Sequence, residues 1–185
     1  MKQKQRRIKF LLFVDLFSLA GYYIFAPLYA LFAHKLGISD KDISFIWGGY
    51  SLLMACFILL FGKLENRKNK GKLVVAGYFM YAVGALLFLT VHNTTSLELV
   101  LAFNSLGAGV TLPAYKTLFA KNESRGRESQ QWSWLDGGNM LSTATGGALG
   151  GIIIGEFGFK GIFITMALIQ FIAAIIAYRV LYKLS

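Results

Sequence analysis

Cysteine is almost absent: Cys56 is the only one among 185 residues, and it lies inside an apolar run. A single thiol excludes an intrachain disulfide and any metal centre built from several cysteines. Charge is scarce as well. Asp, Glu, Lys and Arg make up 15% of the chain, against about 25% in soluble domains. His34 and His92 are the only histidines; they fall in different connecting segments and do not pair as metal ligands by spacing. There is no Gly-rich phosphate loop, nucleophile elbow or zinc-ligand spacing. The sequence therefore offers no constellation for an enzyme, and no metal or cofactor is expected. A cleavable signal peptide is not expected either, because the first apolar run is too long for one and no small-residue cleavage site follows it.

What the chain has in excess is apolar surface. Hydrophobic residues reach 56%, against about 45–50% in soluble proteins, too much to hide in a soluble core of this size. Lipid is the natural solvent for it. Glycine is also frequent, with 20 residues, as it is where membrane helices approach closely. The formal charge of +10 raises nucleic acid as a partner, but the distribution argues against it. The basic residues sit in short segments between apolar runs and leave over no basic domain. They are expected to act as topology determinants facing anionic lipid.

A helix needs roughly 20 mostly apolar residues to cross the bilayer. Six segments meet this, at approximately 8–33, 43–61, 73–91, 97–120, 132–154 and 161–181. The expected fold is an all-α membrane protein, a single six-helix transmembrane domain over 1–185. The connections HKLGISDKD, GKLENRKNKGK, HNTTS, KNESRGRESQQ and GEFGFK carry the Gly, Asn, Ser and charges that interrupt helices. Of the 19 basic residues, 16 fall in the amino-terminal tail, the second and fourth connections and the carboxyl tail. The alternate side holds only Lys35, Lys41 and Lys160. The positive-inside rule then puts both termini in the cytoplasm of a multi-pass cell-membrane protein. PLYALFAHK (27–35) and PAYKTLFAK (113–121) are weakly alike and three spans apart. An odd offset inverts topology, so the pair suggests two inverted three-helix repeats, a mark of secondary transporters. Chance similarity of two apolar helix ends is the alternative.

Several segments resemble motifs of the major facilitator superfamily. Gly62-Lys63-Leu64-Glu65-Asn66-Arg67 and the basic run to Lys72 are similar to that family's second-loop signature. Gly62 and Arg67 match it; Asn66 stands where the family has Asp, and Asn69 where it has a second Gly. FNSLGAGVTLPAYKTLFA resembles the family's fourth helix, with Asn104 where many members carry Arg. Gly146-Gly147-Ala148-Leu149-Gly150-Gly151 resembles its Gly-Pro-x-x-Gly-Gly antiporter motif, with Gly147 in place of Pro. The resemblance implies a bracing and gating role for Gly62, Asn66 and Arg67, with the charge-based part in doubt at Asn66. By packing alone, Gly146, Gly147, Gly150 and Gly151 fit either close helix contact or a bending point.

Polar groups within the apolar runs are candidate substrate or proton sites. A carboxylate at membrane depth costs roughly 2.5–3.5 kcal/mol on insertion scales unless it faces a cavity or a partner. Asp15, Ser18, Tyr22 and Tyr29 share one helix face, as do Asp136, Asn139 and Thr143. Both faces are expected to point inward at a polar cavity, with Asn104 as a further lining group. The alternative pairs one Asp with Lys116 or Arg125 as a structural lock. Because the family's complete transporter has twelve spans, the resemblance implies a half-length transporter. Its expected ligands are a small-molecule substrate and protons. It would act as a homodimer, or beside a second six-helix half, by alternating access. A non-transporting accessory subunit of a membrane complex is the alternative of another class.

Overall fold

The computed structural model describes residues 2–64 and 69–183, and among them all regular structure is helical. Helix α1 (Lys2–Tyr23) leads through a 3-10 turn (Ala26–Leu28) into α2 (Tyr29–Lys35). Then follow α3 (Asp40–Leu64), α4 (Lys70–Leu87) with a 3-10 turn at Phe88–Thr90, α5 (Thr94–Asn122) and α6 (Glu128–Lys183). Five helical segments are long and apolar enough to cross a membrane: Arg6–Lys35, Asp40–Lys63, Lys70–Thr90, Thr94–Asn122 and Glu128–Leu181. Local chemistry sets several boundaries. Asn69 starts α4, its side chain accepting from the Gly71 and Lys72 amides. Asn93 starts α5 through a reciprocal capping box with Ser96; both satisfy amides that have no partner in the first turn. The two prolines act differently. Pro27 lies in the 3-10 turn between α1 and α2, whereas Pro113 rides inside an unbroken α5.

Helix α6 differs from the sequence-based expectation of two spans joined by GEFGFK. Helical backbone runs on through that connection, broken only at Gly158 (φ 62°, ψ −164°). A left-handed residue of this kind needs no more than one glycine, because a glycine has no Cβ to clash. The 56 residues of α6 would measure roughly 80 Å as one straight rod. Contacts with α1 show how the two parts lie. Before Gly158 the order is the same in both helices: Gly138 meets Leu16, Gly146 meets Ala20 and Tyr23, and Gly150 meets Ile24. After it the order reverses: Phe159 packs on Phe32, Phe163 on Phe25, Ile169 on Gly21 and Gln170 on Ser18. The first part of α6 thus runs parallel to α1 and the second antiparallel.

Two apolar clusters close the bundle at its ends. One is aromatic, built on Phe25, Phe32, Phe88 and Phe163. The other, near the basic end, joins Ile8, Leu11, Val74, Phe119 and Ala173. Helix α3 stands apart. Only 6% of its apolar window is buried, against 39–50% for the other spans, and it is held chiefly by α5, where Gly109 admits Phe57.

The seam between α1 and α6 depends on missing side chains. A Cβ on Gly146 would lie 2.5 Å from the Ala20 carbonyl oxygen, and one on Gly150 would collide with that of Ile24. Gly151 has open space around it. Gly150→Ala is therefore expected to lower unfolding free energy by about 1–3 kcal/mol. Gly151→Ala should leave it unchanged or raise it by up to about 1 kcal/mol. Unfolding in detergent micelles measures both, and equal losses would contradict the seam.

Candidate functional site

Between the two apolar clusters the same depth of the bundle is polar on every helix that reaches it. On α1 the clusters stop at Val14 and resume at Ile24, leaving Ser18 and Tyr22 between them. On α5 they leave Asn104 and Ser105, and on α6 Gln170. Ser18, Tyr22, Asn104 and Gln170, with Tyr50 of α3 and Tyr81 of α4, line a cavity of about 200 Å³. A smaller space beside it is also lined by Tyr22, Tyr50 and Asn104, and continues toward Tyr29 and Trp47. Apolar Leu19, Met54, Ala108, Leu112 and Met166 complete the larger cavity.

The layer is held by side chains bonded across helices. Ser18 Oγ donates to Gln170 Oε1 at 2.6 Å, and Gln170 Nε2 donates back to the Ser18 carbonyl at 2.9 Å. Ser105 Oγ donates to the Tyr50 carbonyl (3.2 Å), tying α5 to α3. Asn104 bonds to the Val100 carbonyl on its own helix (2.8 Å). Its side chain fits because Gly84 faces it: a Cβ there would stand 2.5 Å from Asn104 Oδ1. The Tyr22 and Tyr50 hydroxyls reach one another. Hydroxyls and carboxamides both donate and accept, so the layer can bind a neutral or weakly charged polar solute. In a low-dielectric bundle such groups persist only when satisfied.

Asp15 lies one turn nearer the basic end. Tyr78 donates its hydroxyl to Asp15 Oδ1 at 3.1 Å, and the Tyr115 hydroxyl faces the same carboxyl. The lock considered for Lys116 or Arg125 is not formed by Asp15, whose partners are these phenols; both basic side chains are exposed. Asp136 departs from the expected inward orientation. It is exposed on α6, on the side turned away from α1, while Gly138 and Ser142 face α1. The helix phase explains this, because the glycines must occupy the seam and that leaves Asp136 on the outer surface. Asn139 is half-buried, and its Oδ1 is shielded with no partner among the described residues.

Of the antiporter-like glycines, Gly146 and Gly150 enter the α1 seam, a Cβ on Gly147 would stand 3.7 Å from Pro27, and Gly151 faces open space. Gly62 lies in the last turn of α3, where a Cβ on it would stand 4.0 Å from Pro113 of α5. Asn66 and Arg67 lie outside the described residues. The sequence reasoning did not single out Tyr50, Tyr81, Tyr78 and Gln170. Gln170 had a usable signal, as a carboxamide inside the apolar run ALIQFIAAII. The tyrosines had none, because a phenol in a membrane helix looks the same at an interface and in a core.

The sequence profile of the major facilitator superfamily matches residues 11–184, and the chain belongs to that superfamily. It is 24% identical over 170 residues to an uncharacterised MFS-type transporter of Methanocaldococcus jannaschii, covering 91% of this chain and 44% of that protein. It is 27% identical over 150 residues to the riboflavin transporter RibZ of Clostridioides difficile, covering 79% of this chain and 32% of that one. Against the multidrug resistance protein MdtG of Escherichia coli it is 26% identical over 148 residues, covering 77% and 36%. Among solved structures, the POT family transporter PepTSo shares the fold, with a TM-score of 0.76 at 15% identity, covering 94% of this chain and 37% of that one. The chain thus spans less than half the length of these relatives.

The Ser18–Gln170 pair joins α1 to α6 by two hydrogen bonds. In a double-mutant cycle, Ser18→Ala and Gln170→Leu are expected to couple by about 1 kcal/mol in unfolding free energy. Strictly additive effects would show that the two side chains do not hold α1 to α6.

Proposed function

We propose that this chain is the six-span half of a secondary active transporter for a small polar solute. Two such units, either two copies or this chain with a second six-helix half, enclose the pathway and work by alternating access. The reversal of α6 at Gly158 supports six crossings, since each part of α6 is long enough to span and the two run in opposite directions beside α1. Six crossings agree with the charge distribution and with both termini in the cytoplasm. Both parts of the inverted repeat would then be present, 27–35 and 113–121 standing at corresponding ends of α1–α2 and α5.

The observation that carries the proposal is the exposure of Asp136 on the outer face of α6. Eight residues into α6, it sits roughly 12 Å from the start of the helix. A carboxylate there is costly against lipid and acceptable against a water-filled path or a partner subunit. Met140 and Leu141 continue the same uncovered face, at 63% and 69% exposure. In this reading the substrate path runs along that face, and the tyrosine-rich layer behind it supplies polar groups at mid-depth, where transporter sites lie. Asp15 and Asp136 are the candidate proton groups. Asp15, held by two phenols and by no cation among the described residues, is the better placed to gain and lose a proton during transport.

Uptake into vesicles carrying the full chain tests this. Riboflavin and a cationic dye are the first probes, because the relatives' names concern riboflavin and multiple drugs. An inward-directed pH gradient is expected to drive probe movement that Asp15→Asn reduces to the passive level with the fold intact. Gradient-driven transport retained in both Asp15→Asn and Asp136→Asn would reject the proton sites. No movement of any probe, with a stable partner protein co-purifying, would favour an accessory subunit instead.

A further inference from the structure

Two polar groups of the interior layer lack partners among the described residues, and both border the same space. The other side chains of the layer are committed: Ser18 has Gln170, Tyr22 has Tyr50, and Tyr81 has Thr111. Asn104 spends its Nδ2 on the Val100 carbonyl, which leaves Oδ1 to accept. Tyr29 is only 5% exposed, and its hydroxyl is buried without a partner. Asn104 and Tyr29 both line the smaller space, of about 30 Å³. That volume holds a water molecule or the polar edge of a solute, and it is too small for a ring.

A ring has its place in the larger cavity, which shares Tyr22, Tyr50, Asn104 and Met166 with the smaller one. Its volume of about 200 Å³ falls below the roughly 300–1,000 Å³ of drug-sized pockets, so one or two fused rings fill it. Tyr22, Tyr50 and Tyr81 offer ring faces and edges, and Met54 and Met166 offer sulfur. Both favour an aromatic body over an aliphatic one. The aromatic wall continues into the smaller space, where Trp47 packs on Tyr29 and Tyr50 with ring centroids 5.0 and 5.4 Å apart.

The lining also decides charge. No Asp, Glu, Lys or Arg borders either cavity. Asp15 and Glu98 stand near these tyrosines but line neither space, and Asp15 is taken by Tyr78 and Tyr115. A cation would gain from the ring faces, yet it would give up its water with no carboxylate in the wall to replace it. An anion would meet no positive side chain at all.

We propose that the joined cavities select a neutral, flat heteroaromatic solute of one or two fused rings that carries an N–H beside a C=O on one edge. The rings lie among Tyr22, Tyr50 and Tyr81. The edge enters the smaller space, where its N–H donates to Asn104 Oδ1 and its carbonyl accepts from the Tyr29 hydroxyl. This selectivity rests on the polar layer being the solute site proposed above, and it narrows that site to one chemical class.

Isothermal titration calorimetry of the full chain in lipid nanodiscs, with empty discs subtracted, tests it with four small probes. Quinolin-2-one has the rings and the edge. Quinoline lacks the edge, caprolactam lacks the aromatic rings, and N-methylquinolinium carries a charge. Quinolin-2-one is expected to bind at least roughly fivefold more tightly than each of the others. Tyr29→Phe should weaken quinolin-2-one roughly fivefold and leave quinoline unchanged, a split that a merely structural role of Tyr29 would not produce. Leu112→Trp fills the larger cavity and should abolish binding while the helical circular dichroism spectrum stays unchanged. Absence of quinolin-2-one binding, equal affinity for the four probes, or tighter binding of N-methylquinolinium would overturn the proposal, as would unchanged quinolin-2-one affinity in Tyr29→Phe. Binding is read without transport, so the two proposals fail separately. Selective binding with no gradient-driven movement would support the site and reject the transporter, whereas movement without this selectivity would reject the site alone.

Discussion

Backbone contact along the α1–α6 seam is the constraint on which the other features rest. Gly138, Ser142, Gly146 and Gly150 recur every four residues, so one edge of α6 carries almost no side-chain volume. Along that edge α6 comes against the α1 backbone, and Ser142 Oγ donates to the Leu16 carbonyl at 2.9 Å. In lipid, where apolar side chains gain little by leaving the solvent, close packing and bonds of this kind supply most of the attraction between helices. The seam also fixes the rotation of α6. Once the glycines face α1, Asp136 must face outward.

Gly158 then returns the chain along α1, which is consequently gripped on two sides. The Ser18–Gln170 pair closes the second contact at mid-depth. With α1 held in this way, Tyr22 is aimed at Tyr50, Tyr81 and Asn104, and Asp15 at Tyr78 and Tyr115. Small residues recur where polar ones need space: Gly84 admits Asn104, and Gly77 admits Thr111. Apolar clusters above and below seal the polar layer, so its groups must bond to each other or to a solute. Helix α3, with little of itself buried, is tied to this frame chiefly along α5, with Tyr50 and Trp47 reaching Tyr22 and Tyr29. The same economy of contact leaves α3 and the outer face of α6 as the surfaces still to be covered.

Much of this was legible in the sequence for physical reasons. Apolar runs of spanning length have few alternatives, and the charged connections between them gave the helix order. Family membership was visible in degenerate motifs, because Gly62, Pro113 and the glycines at 146–151 keep their order and spacing even where single positions depart. What could not be read was the phase of each helix. Asp136 and Asn139 share a face in sequence, but which way that face turns is decided by the glycine seam. The partners of Asp15 were equally hidden. Electrostatic reasoning offers Lys116 or Arg125, whereas packing brings Tyr78 and Tyr115 from helices far away in sequence. The turn at Gly158 was placed correctly as an interruption but expected as a loop, since one left-handed glycine inside helical sequence leaves no composition signal of its own.

The proposal built on the uncovered Asp136 is that the functional unit contains a second six-helix body beside this one. The mass of the assembly extracted directly from membranes into lipid nanodiscs tests this most directly. The account predicts a complex of two six-helix units, either two copies of this 20.5 kDa chain or one copy with a second membrane protein of similar span number. A single chain, stable and alone in native lipid, would contradict it.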